Sequence, residues 1–346
     1  MSHTHIDPLA TRKLGKSPLH VTQLGIGTAP LGDLYQRVPE DDAREMLSRG
    51  WELGVRLFDT APLYGSGLAE HRTGGLLRTK PRSEFVVSTK VGRHYVPAPS
   101  GANRGNWAGG LEFNQVLDYS YDGAMRAFEQ SLLRLGLARV DVLLIHDVDV
   151  HTHGSREECD RYFDLAMEGA YRALIELRQA GDVSAIGVGV NEADMCARFA
   201  RAGDFDCMLL AGRYSLLEQP ALDEFLPLCT QKNIGVLAGG VYNSGILASG
   251  PRAGSKYNYA EAPADVRTRV ARLGEVCRAH GVPLAAAAIQ FPLGHPQVSS
   301  IVIGAVSPGE IRQNFELMSV SIPDALWSDL KSEGLLRADA PVPASS

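Results

Sequence analysis

The chain has 346 residues, of which 45% are hydrophobic, and 34 Lys/Arg against 40 Asp/Glu give a formal net charge of −6. That apolar content supplies a large core and excludes a disordered or collagen-like chain. The mild acidity, with no long basic run, argues against a nucleic-acid partner. The apolar runs are too short to span a bilayer, and MSHTHIDPLATRK has no apolar leader segment, so neither a membrane partner nor a signal peptide is expected. Five cysteines (Cys159, Cys196, Cys207, Cys229, Cys277) form no Cys-x-x-Cys spacing. That fits a reducing cytoplasm rather than a disulfide or zinc framework.

In chain order, residues 12–14 and 19–21 flank a Gly-Lys-Ser-Pro turn and are predicted to form a hairpin plugging one mouth of the domain. From there one rhythm repeats. Short, continuously apolar runs are predicted as strands over 23–28, 55–59, 85–90, 140–146, 185–190, 206–211, 235–239 and 300–304. Their apolar character on both faces is that of buried parallel strands. Helical spacing marks 118–137, 164–180, 264–280 and 308–318, with glycine stops at Gly136 and Gly181. An additional helix is expected over 323–336, and the tail APVPASS is expected to fray. Eight strand–helix units in about 300 residues predict one closed (β/α)₈ TIM barrel over the whole chain, 1–346, with an ordered core of about 12–336. Three long connections, 93–114, 147–161 and 242–263, follow strands and so belong to the barrel face where such folds place their sites.

Polar residues close three of the apolar strands: Asp59 in VRLFDTAPLYG, Lys90 in FVVSTK and His146 in VDVLLIH. Tyr64 lies in the loop after Asp59. Singly, each has an ordinary structural reading as a surface ion pair, a packed ring or a satisfied histidine. Together at one barrel mouth they make a proton-transfer centre. A tyrosine hydroxyl ionises near pH 10 and needs a neighbouring cation to exchange protons near neutrality. Lys90 is placed to be that cation, Asp59 to hold Lys90, and His146 to bond the substrate oxygen. His151 and His153 form a His-x-His pair with no further ligands in view, so they read as loop histidines and no metal is expected.

GIGTAPLG, FDTAPLYGSG, STKVG, LLIHDVD and IGAV…IRQNFE resemble the aldo-keto reductase family from Arg12 to about Leu336. The resemblance implies a catalytic tetrad of Tyr64, Lys90, Asp59 and His146 and an extended nicotinamide dinucleotide across the barrel mouth. It implies cofactor contacts at Thr28, Asp59, Gly189, Asn191, Tyr214, Gly240, Val241, Asn243, Ser244, Gly245, Gly304, Glu310, Gln313 and Asn314. Tyr214 is expected to stack on the nicotinamide. Three positions depart from the family pattern. Gly189 and Val190 stand where a polar pair usually holds the carboxamide, with Asn191 one residue late, and Ala211 replaces the usual glutamine. GVGVNE (187–192) lacks the third glycine of a Rossmann fingerprint and ends the fifth strand.

GTAPLG, AGRYSLLEQ and GGVYNSGIL narrow the resemblance to bacterial dehydrogenases of L-fucose and other D-threo-aldoses, with pyridoxal 4-dehydrogenases very similar. The expected activity is therefore oxidation of an aldose C1 hydroxyl to the lactone, with pyridoxal as the alternative substrate. A Schiff-base lyase using Lys90 and a nucleotide-sensing subunit that hardly turns over are further alternatives. NAD is expected over NADP, because Val306, Ser307 and Glu310 occupy positions where a 2′-phosphate would need cations. Oligomeric state is not legible in the sequence.

Overall fold

The computed structural model describes residues 3–98, 101, 105–258 and 260–344. Eight parallel strands close into a barrel in chain order: β1 (Leu24–Gly27), β2 (Leu57–Asp59), β3 (Val86–Val91), β4 (Val142–His146), β5 (Ala185–Val190), β6 (Cys207–Ala211), β7 (Gly235–Gly239) and β8 (Val298–Gly304). Closure is made by β8 pairing with β1, Ile301 opposite Leu24 through Gly304 opposite Gly27. The period-two alternation of a strand sorts the apolar side chains into two layers. Val142 and Leu144 point into the barrel with Leu57, Ala185, Leu209, Leu237 and Val302. Their neighbours Leu143 and Ile145 face the helices.

The N-terminal hairpin pairs Thr11–Lys13 with His20–Thr22. Its Leu14 and Val21 join the inner apolar cluster, and Gly15 abuts the backbone of Asp206 and Gly235, where β6 and β7 begin. The hairpin therefore plugs the mouth at the strands' N-terminal ends, as predicted, and leaves the opposite mouth for the site.

Helix Tyr121–Leu135 begins at Ser120, whose hydroxyl accepts from the Gly123 amide, and ends at left-handed Gly136. Such a hydroxyl satisfies one of the unpaired amides of the first turn. The predicted helix 164–180 is corrected to two, Arg156–Glu168 and Ala170–Ala180. The break lies at Gly169, where a β-carbon would stand 2.5 Å from the Tyr119 carbonyl oxygen. The Ala170 amide donates to that same oxygen at 2.8 Å. Consequently the connection 147–161 is largely helical rather than a loop.

The connection 93–114 folds as an antiparallel ribbon, Arg93–Pro97 against Phe113–Leu117, and residues 99, 100 and 102–104 lie outside the described residues. In 242–263, a short helix Ile246–Ser249 precedes the paired strands Lys256–Tyr257 and Ala260–Glu261, and Tyr259 lies outside the described residues. The extra C-terminal helix is present as Asp324–Ser332. The expected fraying of the tail is corrected for its described part. Ala340 is buried, and the Pro343 carbonyl accepts a hydrogen bond from the Thr4 hydroxyl. Among the described residues no helix is long and apolar enough to cross a membrane.

Candidate active site

Asp59, Lys90 and His146 end or nearly end β2, β3 and β4, and the register of those strands brings them side by side at the open mouth. Lys90 is 1% exposed. Its Nζ donates to Asp59 Oδ2 at 2.8 Å and to the Thr60 carbonyl at 2.7 Å. The same ammonium sits 4.9 Å from the centroid of the Tyr64 ring. Tyr64 meets His146 edge-to-face at 5.9 Å and Trp107 at a tilt, also at 5.9 Å. The four residues that the sequence singles out therefore form one cluster.

Tyr64 owes its place to two glycines. Gly32 ends a turn of 3₁₀ helix, Ala29–Gly32, after β1. A β-carbon on Gly32 would stand 2.5 Å from the Tyr64 carbonyl carbon, and one on Gly65 would stand 2.4 Å from the Gly32 carbonyl oxygen. Gly65 also has φ +62, which L side chains rarely adopt. GTAPLG and LYG are thus two halves of one backbone contact.

His146 is buried, and burial, helped by the charges of Lys90 and Arg93, holds its pKa well below the ordinary value. A neutral imidazole results. Its backbone oxygen accepts from the Tyr119 hydroxyl at 2.6 Å. Asp147 follows in the left-handed region at φ 55, with Oδ1 3.3 Å from His146 Nε2 and Oδ2 3.1 Å from Arg93 Nη1. Burial pushes the Asp147 carboxyl up to about 6, against the opposing pull of Arg93.

Two adjoining chambers open over this cluster. One, of about 310 Å³, is lined by Tyr64, Arg93, Trp107, His146, Asp147 and Gly189, among others. The second, of about 370 Å³, runs from Asp59 and Tyr64 along the ends of β6, β7 and β8 and is lined by Gly240, Val241, Asn243, Ser244, Gly245 and Gly304. Asn191 lines both.

The Aldo/keto reductase family profile matches residues 23–333. The chain belongs to the aldo/keto reductase family. Pyridoxal 4-dehydrogenase of Microbacterium luteolum is 48% identical over 96% of this chain and 99% of its own length. D-threo-aldose 1-dehydrogenase of a Pseudomonas species is 40% identical over 92% of this chain and 95% of its own. Among solved structures, the holo form of an aldo-keto reductase from Bacillus halodurans superposes with a TM-score of 0.74 at 23% identity, covering 96% of this chain and 98% of that one. The protein is an oxidoreductase of the aldo-keto reductase type, a family that uses NAD(P)H.

The residues at the mouth fit a dinucleotide. Asn243 is 3% exposed and lines the second chamber. Its Nδ2 donates to the Gly212 carbonyl at 3.1 Å, while Oδ1 has no hydrogen-bond partner among the described residues. A buried acceptor left open at a cleft wall suits a ligand N–H or O–H.

Five of the expected cofactor contacts line neither chamber. Tyr214 is corrected: it is 1% exposed, its ring packs on Phe291 at 5.3 Å and His295 at 6.1 Å, and it is turned away from the mouth. Thr28 is wholly buried, and its hydroxyl donates to the Asp59 carbonyl at 3.0 Å. Asn314 accepts from the Tyr242 hydroxyl at 3.1 Å, one layer behind the chamber. Gln313 lines a separate groove. Glu310 lies beyond the chamber in the first turn of its helix, its carboxylate accepting from the Val306 amide at 2.9 Å while its own amide donates to the N-cap Ser307 Oγ at 3.3 Å.

His151 lines both chambers, whereas His153 stacks on Tyr162 at 4.0 Å. No group of three or more metal-ligating side chains occurs among the described residues. Arg93 and Asp147 are wall residues that the sequence reading did not single out. Their signal is the second charge that follows each catalytic-type residue, in KVGR and HDVD.

Proposed function

We propose that the protein oxidises the C1 hydroxyl of a cyclic aldose hemiacetal to the lactone, with NAD as the oxidant and L-fucose or a sugar of the same ring stereochemistry as substrate. The observation that carries this reading is the Lys90 ammonium, buried against Asp59 and 4.9 Å from the Tyr64 ring at the floor of the chambers. A bound nicotinamide supplies the hydride acceptor. Tyr64 takes the hydroxyl proton on its phenolate oxygen, and the adjacent ammonium favours that ionised form. Asp59 and the Thr60 carbonyl hold Lys90 in place. Neutral His146 donates a hydrogen bond to the reacting oxygen and adds no competing positive charge.

Polar groups on the chamber wall, including Arg93, Asn106, Asp147, Thr152 and Asn191, suit a ring bearing several hydroxyls, and Trp107 offers an apolar face. The 48% identity to a pyridoxal 4-dehydrogenase favours a second reading, oxidation of pyridoxal's internal hemiacetal to its lactone by the same residues. A Schiff-base lyase is disfavoured, because Nζ of Lys90 is engaged by a carboxylate and a carbonyl.

NAD is preferred over NADP in this proposal because Val306, Ser307 and Glu310 supply no cation in the segment that follows β8, and Arg312 is paired with Glu316 at 3.8 Å. The test is absorbance at 340 nm with NAD or NADP against a panel of aldoses and pyridoxal. Turnover of pyridoxal with no aldose reaching a hundredth of its kcat/KM would move the assignment to the second reading.

A further inference from the structure

We propose that Arg93 and Asp147 form a substrate-reading pair that recognises the hydroxyl on the carbon next to the reacting one, an assignment that rests on the aldose-oxidation reading above. Both side chains line the same chamber as Tyr64 and His146, and both are more than nine-tenths buried. Neither has a role in the proton transfer described above.

Their geometry is built rather than incidental. Successive residues of a strand point to opposite sides, so a side chain following His146 would ordinarily leave the mouth. Asp147 avoids this by adopting φ 55, and its amide is fixed by a 2.9 Å hydrogen bond to the Gly189 carbonyl. Left-handed backbone at a non-glycine residue is strained, and such strain persists where the surroundings impose it. The carboxylate consequently stands beside the imidazole. Arg93 reaches the same place from the start of the Arg93–Pro97 strand, across from β4.

The hydrogen-bonding account of the pair is incomplete without a ligand. Arg93 Nε and Nη1 are buried and have no hydrogen-bond partner among the described residues. Nη1 lies 3.1 Å from Asp147 Oδ2 but out of hydrogen-bonding alignment. Buried donors are rarely left open in folded proteins. A guanidinium only donates and an ionised carboxylate only accepts, so a hydroxyl, which does both, satisfies the two together. A carboxylate or phosphate on the substrate would be repelled by Asp147, and an alkyl group would leave the guanidinium donors open. Because Asp147 Oδ1 is 3.3 Å from His146 Nε2, the group it meets belongs to the carbon adjoining the one whose oxygen His146 bonds.

The test compares L-fucose with 2-deoxy-L-fucose, with saturating NAD, for the parent and for Arg93→Lys and Asp147→Asn. The parent is expected to favour L-fucose by about 100-fold or more in kcat/KM, since a site built around a hydroxyl leaves polar groups unpaired when it is missing. Each variant is expected to reduce that preference by about ten-fold, while kcat/KM for the deoxy sugar changes less than about three-fold. Equal losses on both sugars would show a merely structural pair and overturn the assignment. A parent that does not discriminate would overturn it without any variant. A parent that oxidises neither sugar would defeat the aldose reading and this assignment with it, a result distinct from good activity with unchanged preference.

Discussion

Gly32 and Gly65 touch backbone to backbone, with the Gly32 carbonyl oxygen 2.4 Å from where a β-carbon on Gly65 would lie. The contact ties the loop after β1 to the loop after β2 and sets the height of Tyr64 above Lys90. A Gly65→Ala variant must push the two loops apart and strain a φ of +62. We expect kcat to fall by about 10²-fold, the scale of loss that a misplacement of about 1 Å brings. Cofactor affinity, measured by fluorescence titration, should change little. Retained kcat would mean that the contact does not position Tyr64.

The Lys90–Asp59 pair sets a second expectation. Removing one member of a buried ion pair typically costs about 3–5 kcal/mol, and Lys90→Met leaves the Asp59 carboxylate uncompensated at 2% exposure. Lys90→Met should therefore lower both Tm and kcat and shift the remaining pH–rate profile to higher pH. Asp59→Asn also breaks the buried pair and should lower Tm, but it keeps the ammonium beside Tyr64 and should be milder in kcat. An unshifted pH profile in an active Lys90→Met enzyme would exclude Lys90 as the group that tunes Tyr64.

Asp147 gives a pH dependence of stability with a defined sign. Its carboxyl ionises at the ordinary 3.8 when unfolded and, because of burial, at about 6 in the fold. Between those values the folded state retains a proton that the unfolded chain has released. The stability this group contributes is full below about 4, is lost as pH rises through 6, and stays lost above. Asp147→Asn carries no such titration. The Tm of the parent minus that of the variant should therefore decline between pH 4 and about 6.5 and level off above. A difference that rises over this window would contradict the raised ionisation.

Glu310→Arg should improve NADP use mainly through KM, by adding a cation to the segment after β8, which the proposal faces toward the 2′ position of the cofactor. It also breaks the bond from the Val306 amide, so a loss of about 1 kcal/mol in stability should accompany it. Steady-state kinetics with both cofactors checks the first part and thermal melting the second. Tighter NADP than NAD binding by the parent would contradict the reading of this segment.

The barrel was legible because its strands are apolar on both faces and its helices carry glycine stops. The tetrad positions were legible because strand ends converge at one mouth. Other features depended on contacts distant in sequence. The helix break at Gly169 comes from the Tyr119 backbone, which no local periodicity reports. Tyr214 shows the same limit from the other side. Nothing in AGRYSLLEQ reveals that its ring packs on Phe291 and His295, residues some eighty positions away. The tail looked free because APVPASS is short and small, yet Thr4 and Gly294 receive it. The pairing of Arg93 with Asp147 is not legible in the sequence because it requires a left-handed residue after His146, and sequence spacing assumes regular strands.

In the proposed reaction Tyr64 moves the proton of an NAD-linked oxidation of a hemiacetal. Initial rates of NADH formation with L-fucose, for the parent and for Tyr64→Phe at equal NAD saturation, test it most directly. Loss of the proton acceptor should reduce kcat by about 10²–10⁴-fold while NAD affinity stays within about two-fold. A Tyr64→Phe enzyme that keeps more than about a tenth of the parent kcat would contradict that role.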